Sequence, residues 1–460
     1  MKIARVSLAI ADVCWVVLGS SCATRTSKTH SVSTVRLETV PPSPVTEQIE
    51  VDIRGAVVNA TEDTQKWQVG FYLDRATTGN ELYHEQIQVQ PGQSAGIYYR
   101  WPAKGHAGPH RILLVARNGR QILRASEPLR VIASTLRSTG RIGGAWCGIY
   151  HWSEREGRFW NPQIQQMTDS EWRDLISAMH DIGMNIVVIQ EAFRNQEYVG
   201  QNDIATKSYH GKAFYPSQLY PGRMEIAAQD PIEAILSEAD RLGMHVFVPV
   251  GLYAWFDFTP DSLAWHEQVA KELWIRYGHH PSFYGWYVSE EIAGNLGANE
   301  SRRRQIGEFF KEFRPYLRRL APEKPVMLAS NCHSVRQGLP YYSQLLSNLD
   351  ILCSFGFDRM PTGDMSGGQA AALLQKLCDQ AGTHLWMDME VFHFDPTGAL
   401  IPRPSQEVIQ YLQDYTNFEE TLCYQFPGLM TAPWMSPKLG GERAVEAYRG
   451  YLHFLGKHEP

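Results

Sequence analysis

The chain has 460 residues, enough for one barrel-sized domain of roughly 250 residues and a smaller module beside it. Its formal net charge is −6 and no long basic stripe runs through it, which argues against nucleic acid or an anionic membrane surface as a partner. Hydrophobic residues make up 43% of the sequence, so a sizeable core is available.

The N-terminus reads as an export signal over residues 1–22. Lys2 and Arg5 precede a mostly apolar run from Val6 to Leu18, and the small residues Gly19, Ser20 and Ser21 lead to Cys22. The run is too short to span a bilayer. It also resembles a lipoprotein signal, in which the cleavage-site Cys, here Cys22, carries a lipid, although Leu18 stands one position too far from it. Export to the periplasm, the cell surface or the medium is expected, with membrane attachment only through such an anchor. Residues 23–46, rich in Ser, Thr and Pro, read as a linker.

From Glu47 the pattern alternates. Ile49, Val51 and Ile53 share one face, as do Trp67, Val69, Phe71 and Leu73, and the turn Gln90-Pro91-Gly92-Gln93 separates two further alternating runs. Short strands at this spacing predict a β-sandwich over residues 47–135. The succession of Phe71-Tyr72-Leu73-Asp74, that turn, Tyr99-Arg100-Trp101 and Gly108-Pro109-His110 resembles immunoglobulin-like adhesion modules of bacterial envelope proteins.

After Gly140 short apolar strands alternate with amphipathic helices. Strands are expected at Gly144–Tyr150, Asn185–Gln190, His245–Val250, Phe283–Val288, Pro325–Ala329, Ile351–Phe355, Leu385–Met389 and Thr421–Phe426. Thr168-Asp169-Ser170-Glu171 is a capping box, Asp230-Pro231 opens a second helix that stops near Gly243, and Ser405 begins another running to about Phe418. Eight such units over residues 140–457 predict a (β/α)8 TIM barrel of the α/β class behind the sandwich. The long connection from Glu191 to Met224, with Tyr198, Tyr209, Phe214, Tyr215 and Tyr220, is expected to wall a cleft.

Two strands end in acid. Phe283 to Val288 runs into Ser289-Glu290-Glu291 at the end of the fourth strand, and Leu385 to Met389 runs into Glu390 at the end of the seventh. Strands four and seven lie on opposite sides of an eight-stranded barrel, so their terminal groups can face each other across its mouth. A pair of this kind is what glycoside hydrolysis requires, one carboxylic acid protonating the leaving oxygen and one carboxylate attacking the anomeric carbon. Alternation sends Glu290 and Glu291 to opposite faces, so one of them is expected to line the mouth. Asp388 shares the strand face of Glu390 and is placed to position it or raise its pKa.

The barrel resembles clan A of the glycoside hydrolases, and most closely a subgroup of bacterial domains of uncharacterised function. In clan A the acid/base is a Glu after strand four, five residues beyond a strand Trp, and the nucleophile is a Glu ending strand seven. Counting from Trp286, the resemblance implies Glu291 as acid/base, Glu390 as nucleophile and a retaining mechanism. Glu290 stands where clan A commonly has an Asn that hydrogen-bonds the substrate 2-hydroxyl, which makes a carbohydrate-binding or scaffold role without turnover the alternative. Trp146, Tyr150 and His151 at strand one, Gln190 at strand two, Tyr253 and Trp255 at strand three, Asn331 and His333 at strand five, Asp358 at strand six, His393 at strand seven, and Gln425 and Trp434 at strand eight are candidates to contact an oligo- or polysaccharide.

The cysteines beyond the leader are widely spaced and read as buried hydrophobes. Cys332 and His333 are adjacent, with nothing to orient them as a nucleophilic dyad. His151, His333 and His393 could converge at the mouth, where hydrogen bonding to hydroxyls is the expected role. No HExxH, GxGxxG or P-loop motif occurs, and neither metal nor cofactor is expected.

Overall fold

The computed structural model describes residues 33–119, 121–195, 204–220 and 222–458. The expected export signal lies outside them, as does Tyr198.

Eight parallel strands close into a barrel: Gly144–Cys147, Ile186–Ile189, His245–Pro249, Phe283–Ile292, Val326–Asn331, Ile351–Phe355, His384–Glu390 and Glu420–Tyr424, each paired with the next and the last with the first. All eight expected strands are present, in the expected order. Both faces of each strand are covered, which explains the near-continuous apolar runs. One set of alternate residues packs outward against helices, and the other fills the barrel, with Trp146, Phe247, Tyr284, Tyr287 and Trp386 among the largest interior side chains.

The helix Asp169–Asp181 carries the expected reciprocal capping box between Thr168 and Glu171, which satisfies two otherwise orphaned backbone donors. Pro231–Leu242 starts on Asp230 and ends on Gly243 at φ 69°, a left-handed cap that glycine adopts without strain. The helix begun by Ser405 ends at Asp414, earlier than expected. In the connection after strand two, three of the aromatics expected at a cleft wall are turned inward. Tyr209, Phe214 and Tyr215 are buried, and Phe193 meets the rings of Tyr209, Tyr215 and Trp265, so the segment joins the core between the barrel strands and the helices.

Against the barrel, Thr34–Val40, Glu50–Val58 and Ser94–Pro102 form a three-stranded antiparallel sheet. A five-stranded sheet runs in the order Val45–Thr46, Gln121–Ile132, Gly108–Asn118, Gln65–Leu73 and Glu81–Val89. Their facing apolar residues form a separate core around Trp67, Phe71 and Trp101. The sandwich therefore begins before Glu47. Within the stretch expected to be a linker, Thr34–Val40 is a strand, because it pairs along most of the length of Glu50–Val58.

The sandwich seals the end of the barrel where the strands start. Val40 enters the barrel's interior cluster, and the Tyr284 hydroxyl donates to the Thr39 carbonyl at 2.7 Å. Around this plug lies a buried ionic network. Arg54 bridges Asp52 at 3.1 Å and Asp350 at 2.8 Å, and His384 lies between Asp52 at 3.2 Å and Glu419. With the start of the strands closed in this way, the open mouth is at their C-terminal ends.

Candidate active site at the barrel mouth

Parity along each strand decides what reaches the mouth. Val188, Tyr287, Met327, Cys353, Trp386 and Leu422 all lie in the barrel's interior cluster. Residues of the same parity further along, at or just past the ends of those strands, include Gln190, Glu291, Ala329, Phe355, Glu390 and Tyr424. Each of these six lines one cavity of about 400 Å³ at the mouth. Trp146 and Tyr287 form its floor, edge to face at 5.8 Å. Trp152 and Trp255, ring centroids 4.7 Å apart, wall one side, and Phe392, Phe394 and Leu400 from a hairpin after strand seven close another.

Glu291, Asp388 and Glu390 share this cavity with one guanidinium, Arg359. Arg359 Nε donates to both carboxylate oxygens of Glu390 at 2.9 Å, and Nη2 adds a further short bond to Oε1. Burial pushes the Glu291 carboxyl up to about 7; Arg359 opposes the rise and the nearby Glu390 charge adds to it. Asp388 is raised well above the usual carboxylate range by burial and by the charges of Glu390 and Glu291. Its Oδ1 has no partner. Burial also raises Glu156 across the cavity, against the pull of Arg155 and Arg359.

Glu290 points the other way. It is fully buried outside the barrel and accepts from the backbone N–H groups of Tyr253 at 2.8 Å and Ala254 at 3.2 Å. It therefore braces the loop after strand three and does not reach the cavity, as alternation along Tyr287-Val288-Ser289-Glu290-Glu291 requires.

Of the twelve candidate contact residues, Trp146, Gln190 and Trp255 line the cavity. The other nine do not line it. The Tyr150 hydroxyl donates to Glu154, and His151 is buried beside Trp160, which drives its pKa down to about 4. Tyr253 is buried with its hydroxyl on the Ile204 carbonyl. Asn331 Oδ1 accepts from the amides of Gly294 and His333, while His333 Nε2 faces the Gly356 carbonyl at 3.3 Å. Asp358 pairs with Arg403, His393 with Glu407, and Gln425 donates to the Pro427 carbonyl. Trp434 is exposed and is not part of the cavity lining. With these partners, the histidines at 151, 333 and 393 do not converge. Cys332 is buried against Met360, its thiol pushed up by burial, so it forms no dyad with His333.

Glu156, Tyr287, Phe355, Phe392, Phe394, Leu400 and Tyr424 also line the cavity, and sequence reasoning misses them. Parity offers a signal for most of them. Tyr287 shares the face of Glu291, Phe355 follows Cys353, Phe392 and Phe394 follow Glu390, and Tyr424 follows Leu422. Glu156 and Leu400 lie beyond the barrel strands, where no such rule applies.

No curated protein sequence matches the chain. Among solved structures, a protein assigned as an alpha-L-fucosidase from Bacteroides thetaiotaomicron is similar at 17% identity and a TM-score of 0.50, over 68% of this chain and 93% of its own. A beta-glucuronidase from Bacteroides uniformis matches at 14% identity and a TM-score of 0.37, over 85% of this chain; the alignment spans 45% of the glucuronidase. A GH2 beta-galacturonidase from Eisenbergiella tayi matches at 12% identity and a TM-score of 0.38, over 90% of this chain and 71% of its own. The first of these likenesses supports the barrel fold and carries no substrate with it. The sequence itself matches a domain of unknown function over residues 144–437, nearly the whole barrel, and the chain belongs to that family, DUF4434.

Proposed function

We propose that the protein is an exported glycoside hydrolase that cleaves O-glycosidic bonds with retention of the anomer. The observation that carries this reading is the pairing, in one aromatic-walled cavity, of Glu390 held by Arg359 with Glu291, whose carboxyl stays protonated to about 7. Glu390 attacks the anomeric carbon while Glu291 gives its proton to the departing oxygen, leaving a glycosyl ester on Glu390. Glu291, now ionised, takes a proton from water as that water attacks the same carbon and releases Glu390. Two inversions give net retention. Esterification removes the Glu390 charge, which in the free protein adds to the effect of burial on Glu291. The Glu291 pKa therefore falls once the ester has formed, and the group stays ionised as the base of the second step.

The aromatic walls suit the apolar faces of sugar rings, and the unpartnered Asp388 Oδ1 suits a hydroxyl. A second reading, carbohydrate binding without turnover, is favoured by the engagement of both Glu390 oxygens with Arg359, which blunts a nucleophile. Purified protein assayed on a panel of aryl glycosides and polysaccharides, with the product anomer followed by NMR, separates the two. Turnover with retention supports hydrolysis. Glycan binding without turnover supports the second reading, and neither turnover nor binding contradicts both.

A further inference from the structure

On the closed side of the barrel, Glu233, His279 and His280 bring one carboxylate oxygen and two imidazole nitrogens within 4.8 Å of one another. Glu233 lies in the first turn of the helix Pro231–Leu242, and the two histidines lie in the turn that enters strand four. His280 is buried, and its two ring nitrogens face different carboxylates. Nδ1 lies 2.6 Å from Asp240 and Nε2 lies 3.1 Å from Glu233. The second Asp240 oxygen accepts from the Ser282 backbone N–H at 2.7 Å, which fixes that carboxylate and, through it, the imidazole ring.

We infer that Glu233, His279 and His280 form a binding site for a divalent transition-metal ion of the zinc class, with Asp240 as the carboxylate that orients His280. In a neutral imidazole that donates its Nδ1–H to Asp240, the Nε2 lone pair faces the Glu233 oxygen, a repulsion that a cation held by both relieves. Tetrahedral zinc with ligands at about 2.0–2.1 Å holds neighbouring donor atoms about 3.3 Å apart, close to the Nε2–Oε2 separation here. A carboxylate on the far nitrogen of a metal-binding imidazole is the usual way its tautomer and orientation are set.

Charge points the same way. Two carboxylates and two neutral imidazoles carry −2, which one divalent ion cancels. An imidazolium at His280 would pair with both carboxylates but gives no account of His279, whose ring centroid lies 4.2 Å from that of His280. His279 is exposed, so its side chain can turn toward the ion without disturbing the core. A cleft of about 510 Å³, lined in part by Asp240, His279 and His280, gives solvent a route to the remaining coordination position. The ion would clamp the helix after strand two to the turn that feeds strand four, the strand bearing Glu291.

The test is calorimetric titration of zinc chloride into the full chain after removal of metal by EDTA and dialysis, with thermal melting in parallel. One ion per chain and a rise in Tm are expected. His279→Ala, which removes an exposed side chain and so preserves folding, and Glu233→Gln are each expected to weaken binding by at least about tenfold, and Asp240→Asn by about tenfold to a hundredfold. Absence of stoichiometric binding, or equal binding by wild type, His279→Ala and Glu233→Gln, overturns the site.

Discussion

Arg359 holds both oxygens of Glu390 from a single nitrogen, 2.9 Å from each, at the centre of a group of carboxyls that would otherwise repel one another. Burial raises the proton affinity of Glu291 and Asp388, and the Arg359 charge works against that rise in both. Arg359→Gln is therefore expected to cut kcat by about a hundredfold, the scale of losing one preorganised charge. Steady-state kinetics on a substrate from the panel check it.

The same relationship fixes a pH dependence. Glu291 must be protonated to act as an acid, so kcat/KM should fall as pH rises through about 7. Removing Arg359 takes away the charge that opposes burial at Glu291, so this alkaline limb should move to higher pH in Arg359→Gln. A pH–rate profile of both proteins reads the direction of the move.

Trp255 lines the cavity and its indole N–H has no partner. Trp255→Ala should raise KM by about tenfold with a smaller effect on kcat, the sign of lost ground-state binding. Trp255→Phe keeps a ring and should fall between wild type and Ala.

At the sealed end, His384 sits between Glu419 and Asp52. Burial alone would lower its pKa, but the two carboxylate charges outweigh burial and raise it to about 9. The folded value lies above the unfolded value of about 6.5, so this stabilisation is complete below about 6.5 and lost as pH rises through about 9. Burial raises Glu420 from the ordinary 4.5 to about 8, so the stability tied to its protonated form is lost between those values and overlaps the lower part of the His384 window. Stability measured by denaturation should decline between about pH 6.5 and 9. His384→Gln should cost about 1–3 kcal/mol near neutral pH, since it removes the charge between two buried carboxylates while Asp52 keeps Arg54 and Arg100 and Glu419 keeps Arg137, and should flatten that decline.

The barrel was legible because its eight strands are short apolar runs set off by capped helices, and their order needs no long-range information. The mouth positions of Glu291 and Glu390 were legible because charges mark where the apolar runs end and parity along each strand turns these two inward, while Glu290 turns outward into a buried pocket of backbone donors. The wall of the cavity was not, for two reasons. Polar residues just beyond strand ends, such as His333, Asp358 and Gln425, are consumed by loop hydrogen bonds that depend on backbone conformation. Beyond strand seven, His393 draws the eye as a polar group, yet its neighbours Phe392 and Phe394, on the inward parity of Glu390, are the ones that reach the cavity. The first sandwich strand was missed because the alternation of Thr34-Val35-Arg36-Leu37-Glu38 is only five residues long inside a Ser-, Thr- and Pro-rich stretch, and its pairing with Glu50–Val58 is long-range.

Azide rescue distinguishes a Glu390 nucleophile and a Glu291 acid/base from any other assignment of the two carboxylates. Glu291→Ala and Glu390→Ala are each expected to lose activity by several orders of magnitude on an activated aryl glycoside. Azide added to Glu291→Ala should attack the glycosyl ester on Glu390 and give a glycosyl azide of retained anomer. In Glu390→Ala azide should take the place of the missing carboxylate and give the inverted anomer. Wild-type turnover in either variant, or the same anomer from both, would contradict the assignment.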